Sequence, residues 1–566
     1  MSLIVKKKRN KIRRFALLGL VLMLMLVSAC APSLSPEPTE PTTPQPTTRP
    51  TELPENGDDL GVFRGLPGAR DERMNVAVLD ADGLNFNPFS WGEGRFPVDP
   101  CGHYQPIYET VVRFLPEDLE YHPVLVSNIV KTDDSIQLAL NRERQWHDGF
   151  FVTGQDIIFS VNAHIALGTA TGRILAELVT EISMPNDQLL ILSIDNSSVN
   201  VANRVLDALS RSLIVPRHHW ESLLTHSTAA EDFDAIVLPL VGSGPWQLIQ
   251  RDEFALSFSR FPIDSTGKAS YFTLLRYHNH QLVQEALEHD DLDLVLCAPF
   301  CGADLTQKNL TSGEKLAGIA LNPKANEWLA SRPFRQLLGL SADPAQTGPL
   351  LMPNSSPLEP SDLLTIPSVM TLLDRERLSE ALLPKDEATV QALLEEAGLQ
   401  ANGTTGLLER DNVPLKTFEL IYPEGSVPIE EALGVFLRSA REQGIPISLR
   451  RVTVDRWRQY EREGNYELIY QESFTGESPV NLIDRLLGIP TLSLEKDELL
   501  LRLGEANRLQ EKIKGMEQLA SWLIKEQLFI PLAGGAIEVG WWRSTRFIAD
   551  DLACVLSAQA EFHLGE

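Results

Sequence analysis

A chain of 566 residues has room for three or four domains at about 100 to 200 residues each, which excludes a small scaffold that needs disulfide or metal staples. Its 43% hydrophobic and 22% charged content is ordinary for a folded globular protein, although the first 58 residues do not share it. The first 29 residues hold seven of the 50 basic residues and no acid; without them 43 bases face 77 acids, a net charge of −34 that repels phosphate backbones and excludes a nucleic-acid partner.

Taken in chain order, the N-terminus reads as a targeting segment. Basic residues up to Arg14 precede an apolar run over residues 15–27. At about 1.5 Å per residue that run is too short for a hydrocarbon core of about 30 Å, so it is expected to be a signal-peptide h-region rather than a membrane span. It ends in Val27-Ser28-Ala29-Cys30, which resembles a bacterial lipobox; Cys30 is then the expected lipidation site and new N-terminus. Two acyl chains suffice for a stable anchor where one is marginal. Residues 32–58, rich in Pro, Thr, Ser and Glu, cannot bury enough apolar surface to offset ordering entropy and are expected to form an extended tether.

Four further cysteines, Cys101, Cys297, Cys301 and Cys554, are an even number suited to an oxidising compartment. They permit two disulfides in any of three connectivities. The rival is a metal site built from Cys297, Cys301 and His103, which lacks the close pairing and second ligand pair usual for zinc.

Residues 74–79 read as a strand, and a Gly-rich loop after Asn87-Pro88-Phe89 leads to an expected helix over residues 103–112. Short strands follow to Leu140. Trp146-His147-Asp148-Gly149 reads as a turn, with Asp-Gly supplying the positive φ, and Thr153 with Asp156 is expected to cap a helix bearing Ile157, Ile158 and Val161 on one face. His147 beside Asp148 has the look of a general base, but the turn accounts for the dipeptide. Further on, residues 385–397 read as a helix stopped by Gly398. A β-α-β-α-β run is expected over residues 418–471, its helices stopped by Gly444 and Gly464. A helix over residues 505–527 and a strand from Phe529 close the series.

Several of these segments, in order, resemble family 5 extracellular solute-binding proteins of ABC importers, the group of dipeptide and oligopeptide receptors. They are Asn87-Pro88-Phe89, Ile107-Tyr108-Glu109, Pro123-Val124-Leu125, the Trp146-Gly149 turn with Thr153, Asp156 and Phe159, Val215-Pro216-Arg217-His218, Gly242-Ser243-Gly244-Pro245-Trp246, Leu292-Asp293-Leu294 as a strand ending in an acid, and Ile530-Pro531-Leu532. Arg335-Gln336 keeps only the core of the family's Arg-Gln-Ala helix, and the segment after Leu340 is shortened. The resemblance implies an α/β fold: a two-lobed periplasmic-binding-protein-like clamp of type II, with the extra domain of peptide-binding members. The corresponding division is signal peptide 1–29, lipidated Cys and tether 30–70, larger lobe 71–108 with 236–310 and 528–566, extra domain 109–235, and second lobe 311–527. All four mature cysteines fall in the larger lobe on that mapping, which fits disulfides within it.

The resemblance also implies a ligand site. Phe474-Thr475-Gly476-Glu477 stands where peptide receptors of the family place a Trp-Thr-Gly-Asp stretch whose carboxylate pairs with a peptide α-ammonium. Glu477 keeps the charge with one more methylene, and Phe474 keeps a ring face without the indole donor. The alternative places Glu477 on a solvated loop as one acid among 77. Trp91 and Tyr470 are further candidates to line the cleft, against the commoner role of aromatics as core filling. His278 and His280 would share a strand face but lack a third metal ligand. No nucleophile elbow, His-Glu-x-x-His or phosphate loop occurs, so a non-enzymatic protein without cofactor or resident metal is expected, with a secreted hydrolase or a clamp receptor without a transporter as alternatives. The expected partners are a peptide or other small solute, ABC permease subunits, and the membrane through the lipid anchor; the protein is expected to be a monomer outside the cytoplasm.

Overall fold

The computed structural model describes residues 66–79, 87–89, 107–115, 118–195, 200–225, 240–251, 255–261, 269–277, 280–296, 306–351, 355–357, 373–424, 427–474, 494–506, 508–541, 547–549 and 562–564. Ten of its strands follow one another across a large sheet, and Ser355–Pro357 adds to the strand Phe529–Trp541. One end of this sheet has a parallel centre: Arg73–Leu79 lies between Tyr271–Tyr277 and Leu294–Leu296 and runs parallel to both. The other end has a second parallel centre, in which Phe418–Pro423 lies between Ile447–Val452 and Leu468–Phe474. Two long antiparallel strands, Thr306–Leu321 and Phe529–Trp541, run between these centres and join them.

Around the second centre the sheet is covered on both faces, as expected of parallel strands fed by helical crossovers. Successive residues of Thr306–Leu321 divide accordingly: Ala317, Ile319 and Leu321 enter one core cluster, Leu316 and Ala320 the other. The first cluster takes Phe334 and Leu337 from the helix Arg332–Gly339 and Leu433 and Phe436 from Val427–Glu442. The second takes Leu500 and Leu503 from Leu494–Glu505 and Met516, Leu519 and Leu523 from Leu509–Glu526. Arg335 ties the two faces at one edge. Its guanidinium donates to the carbonyls of Leu329, Ala330 and Glu526 and to the Glu526 carboxylate at 2.8–3.0 Å, so a buried cation is satisfied by four acceptors.

Residues between Glu109 and Thr225 build a separate four-stranded antiparallel sheet, ordered Val126–Lys131, Ser135–Leu140, Leu189–Ile194, Val179–Asn186. Its apolar face packs on helices Gly154–Ala166, Ala170–Leu178 and Val201–Arg211 around Trp146. Thr153 caps the first of these helices as expected, and Asp156 returns a carboxylate oxygen to the Thr153 N–H at 2.9 Å.

Three expectations are corrected. No helix covers residues 109–112: Glu109–Thr110 pairs antiparallel with Leu213–Ile214, and Val112–Leu115 forms a hairpin with Glu120–Pro123, because tertiary strand partners outweigh a helical apolar period. The helix expected over residues 505–527 starts later, as Leu509–Glu526, and a separate helix, Leu494–Glu505, precedes it. Asp293 precedes the strand Leu294–Leu296 instead of ending it; its carboxylate accepts the Asn75 N–H at 2.7 Å and locks the first parallel pair.

Candidate functional site

The strand directions place the candidate site. Leu294–Leu296 and Thr306–Leu321 are both antiparallel to Phe529–Trp541, and Leu468–Phe474 is antiparallel to Thr306–Leu321. The two parallel centres therefore point their carboxyl ends toward each other. Leu296 is level with Val539, whereas Phe474 is level with Lys315 and so with Gly535. Four residue steps along the strand from Val539 to Gly535 separate the two levels, about 13 Å at about 3.3 Å per step. In this interval the pairing of the crossing strands is irregular: Asn309 faces Glu538 and the next partner is Glu314 with Ala536. Ligands of open α/β sheets bind outside the carboxyl ends of parallel strands, and here two such edges face one gap.

Of the residues expected at the site, Phe474 ends its strand at the gap, paired through its backbone with Lys315. Thr475, Gly476, Glu477 and Trp91 lie outside the described residues, as do Cys30, Cys101, Cys297, Cys301, Cys554, His103 and His278. Tyr470 lies further back from the gap on the strand that Phe474 ends. Its ring is fully buried in the first core cluster, and its hydroxyl donates to Glu472, so in this conformation it offers no surface to a ligand. Burial, and then the Glu472 carboxylate, push its hydroxyl well above the usual phenol range.

Sequence reasoning passed over a polar group at the same carboxyl edge. Tyr422, next to the end of its strand, donates to Glu430 at 2.8 Å, and Arg451, next to the end of the neighbouring strand, donates to the same carboxylate at 3.2 Å. The signal was the position of both residues one step before a strand end, which only the strand boundaries reveal.

The motifs that carry the family resemblance meet elsewhere, in a joint. The Gly242 carbonyl accepts the His147 N–H at 2.8 Å, and Gly244 donates its N–H to the Ile107 carbonyl at 2.8 Å. A Cβ on Gly242 would stand 1.8 Å from the Ile107 carbonyl oxygen, so only glycine allows this approach. Gly149, at φ +88°, closes the turn through its N–H to Trp146. Glu109 is buried beside Arg144, with which it pairs; burial raises its carboxyl to about 7 against the opposing pull of Arg144 and Ser243. His147 has a structural role here, in line with the reading of its segment as a turn. Phe89 packs edge-on against His164 and Trp220, at ring distances of 4.9 and 5.4 Å. His164 is buried between Thr169 and the Leu213 carbonyl, each at 3.1 Å, and desolvation lowers its pKa to about 4.

No protein-family model matches the chain. A probable peptide-binding protein of Agrobacterium fabrum, YejA, is 26% identical over 145 residues, 25% of this chain. The match spans 23% of the length of that curated relative. The periplasmic oligopeptide-binding protein of an oligopeptide ABC transporter from Thermotoga maritima superposes with a TM-score of 0.60 at 18% identity, over 84% of this chain and 93% of that one. The same protein with mannohexaose bound gives 0.55 at 18% identity over the same shares. The oligopeptide-binding protein AppA of Bacillus subtilis, solved with a nonapeptide, gives 0.56 at 14% identity, over 87% of this chain and 99% of its own. The α/β fold is shared with these periplasmic oligopeptide-binding proteins. Among the described residues no helix is long and apolar enough to cross a membrane.

Proposed function

We propose that this chain is the extracytoplasmic substrate-binding lipoprotein of an ABC importer, which captures a peptide by lobe closure and delivers it to a membrane permease. The observation that carries this reading is the gap at which the carboxyl ends of two parallel strand groups face one another across two shared strands. Such a gap offers main-chain groups from both sides to an extended ligand, and the irregular pairing of the crossing strands gives a place to bend. The peptide-binding names of the relatives support the ligand class. The reading assigns residues 71–108, 236–310 and 528–566 to the larger lobe, 109–235 to the extra domain and 311–527 to the second lobe. Phe474, Thr475, Gly476, Glu477 and Trp91 would face the ligand, with Glu477 toward its ammonium. Cys30 would carry the lipid, and the protein would act as a monomer, without chemistry.

Mass spectrometry of material released by denaturing the purified protein, followed by calorimetric titration with the peptides found, tests the reading. Retained peptides that rebind and shrink the radius of gyration support it. Retained oligosaccharide would transfer the site to that class, and a protein that turns peptides over instead of retaining them would overturn it.

A further inference from the structure

The motifs at the joint leave one side-chain cluster without a role in it. Asp148, in the turn after His147, receives two imidazoles on a single carboxylate oxygen: His218 Nε2 at 2.7 Å and His219 Nε2 at 2.9 Å. Both histidines belong to the first turn of the helix Arg217–Leu224. The three potential ligand atoms lie within 4.8 Å of one another, and all three side chains are partly open to solvent.

The backbones that present these groups are held from behind. The turn is closed by Trp146 N–H to Phe150 and Gly149 N–H to Trp146, both 2.8 Å, and anchored through His147. The helix is fixed by Arg217 N–H to Asp156 at 2.9 Å and by Trp220, which is fully buried. The guanidinium of the adjoining Arg217 is turned to Glu221 at 2.8 Å. The Phe150 N–H engages the other Asp148 oxygen at 3.3 Å, and the Phe150 ring lies 4.9 Å from that of His218.

From this geometry we infer that Asp148, His218 and His219 form a site for one divalent transition-metal ion of the zinc, cobalt, nickel or copper class. Two imidazoles and one carboxylate are the donor set these ions prefer, whereas a single carboxylate is too few oxygens for calcium or magnesium. Metal–ligand bonds of about 2.0–2.1 Å place tetrahedral ligand atoms about 3.3 Å apart. The oxygen–nitrogen separations of 2.7 and 2.9 Å thus need to open by roughly half an ångström, within reach of side-chain rotation at a half-exposed site. The ion replaces the two N–H protons that otherwise point at Asp148, so each ring carries its proton on Nδ1, the nitrogen away from the carboxylate. The positive end of the helix opposes a cation here, and the Asp148 carboxylate offsets it.

The test uses Co²⁺ as an optical probe, with Zn²⁺ as competitor, on the full-length protein beside His218→Gln/His219→Gln, a variant whose amides retain hydrogen bonds to Asp148. The expected result is a visible Co²⁺ spectrum of nitrogen and oxygen ligation, displaced by Zn²⁺, that weakens at least about tenfold in affinity in the variant. Asp148→Asn should weaken it likewise, and Zn²⁺ should raise the melting temperature of the parent more than that of either variant. Equal Co²⁺ and Zn²⁺ binding by parent and folded variants would overturn the inference, as would thiolate charge-transfer bands unaffected by the histidine changes. If the double variant does not fold, the single changes His218→Gln and His219→Gln decide by the same spectrum. Ligand uptake in the cleft is read separately, so a failure here leaves the transport reading in place.

Discussion

His147 Nε2 lies 2.8 Å from the carbonyl oxygen of Gly244, ninety-seven residues further along the chain. On the opposite ring edge the Gly242 N–H donates to Nδ1 at 3.2 Å. The ring proton therefore sits on Nε2 and is donated to Gly244, so a neutral imidazole bridges two segments through both nitrogens. Removing the ring strands a buried donor and a buried acceptor. His147→Ala is expected to lower stability by about 2 to 6 kcal/mol, the range for leaving two such groups unsatisfied. Urea denaturation followed by circular dichroism measures it; a loss below about 1 kcal/mol would mean that water replaces the ring at little cost.

Gly242 is the tightest backbone approach of this joint. Because the obstacle to a Cβ is the Ile107 carbonyl oxygen, 1.8 Å away, and not a movable side chain, Gly242→Ala is expected to cost more than about 3 kcal/mol or to prevent folding. Gly434→Ala is the control. Beyond its chain neighbours the first atom to meet the added methyl is a guanidinium nitrogen of Arg438 at 4.0 Å, and within the helix Val427–Glu442 alanine is favoured by about 0.8 to 1 kcal/mol, so its melting temperature should be unchanged or raised.

Two buried groups give stability a pH dependence of opposite sign. His164 has its pKa lowered from 6.5 to about 4, so the unfolded chain binds the extra proton in that window, and stability present above 6.5 is lost as pH falls toward 4. Glu109 has its pKa raised from 4.5 to about 7, so the folded chain binds the proton first, and stability present below 4.5 is lost as pH rises through 7. Between 4.5 and 6.5 the two slopes oppose each other. Glu109→Gln removes one of them: stability of that variant should rise with pH from 4 to 6.5 by on the order of 3 kcal/mol more than the parent's. Denaturation curves at half-unit pH steps test this, and parallel pH profiles for the two proteins would contradict it.

If Glu477 pairs with a ligand ammonium in a closed cleft, Glu477→Gln should weaken peptide binding by about 2 to 5 kcal/mol. N-acetylation of the peptide should cost a similar amount with the parent protein. The losses should overlap when combined, since both delete one interaction. Calorimetry over the four combinations reads the cycle, and simple additivity would return Glu477 to a solvated loop.

Cys30→Ser should leave a precursor without lipid, and any product cleaved of its signal should stay out of the detergent phase. Intact-mass measurement and phase separation check it; a cleaved variant that still partitions into detergent would rule out lipid attachment at this position.

How much was legible in the sequence follows from how local each cause is. The Thr153–Asp156 cap, the turn at Gly149, the helices ending at Gly398, Gly444 and Gly464, and the β-α-β-α-β run near residue 420 rest on neighbours within a few positions, so a reading of spacing and residue type found them. The α/β class and the family likeness followed from the order of such segments. Long-range partners decided the rest. Glu109 became a strand residue because Ile214 pairs with it, and Tyr470 became core because helices cover both faces of its strand, although its period-2 neighbours gave no sign of which face was wet. The motifs most specific in sequence proved to build a joint, since close approaches such as Gly242 against Ile107 restrict residue type as severely as ligand contact does. The facing strand ends that define the cleft, and the meeting of Asp148 with His218 and His219, exist only once register and direction bring segments seventy or more residues apart to one place. No local periodicity encodes that distance, because it is fixed by the packing of whole elements.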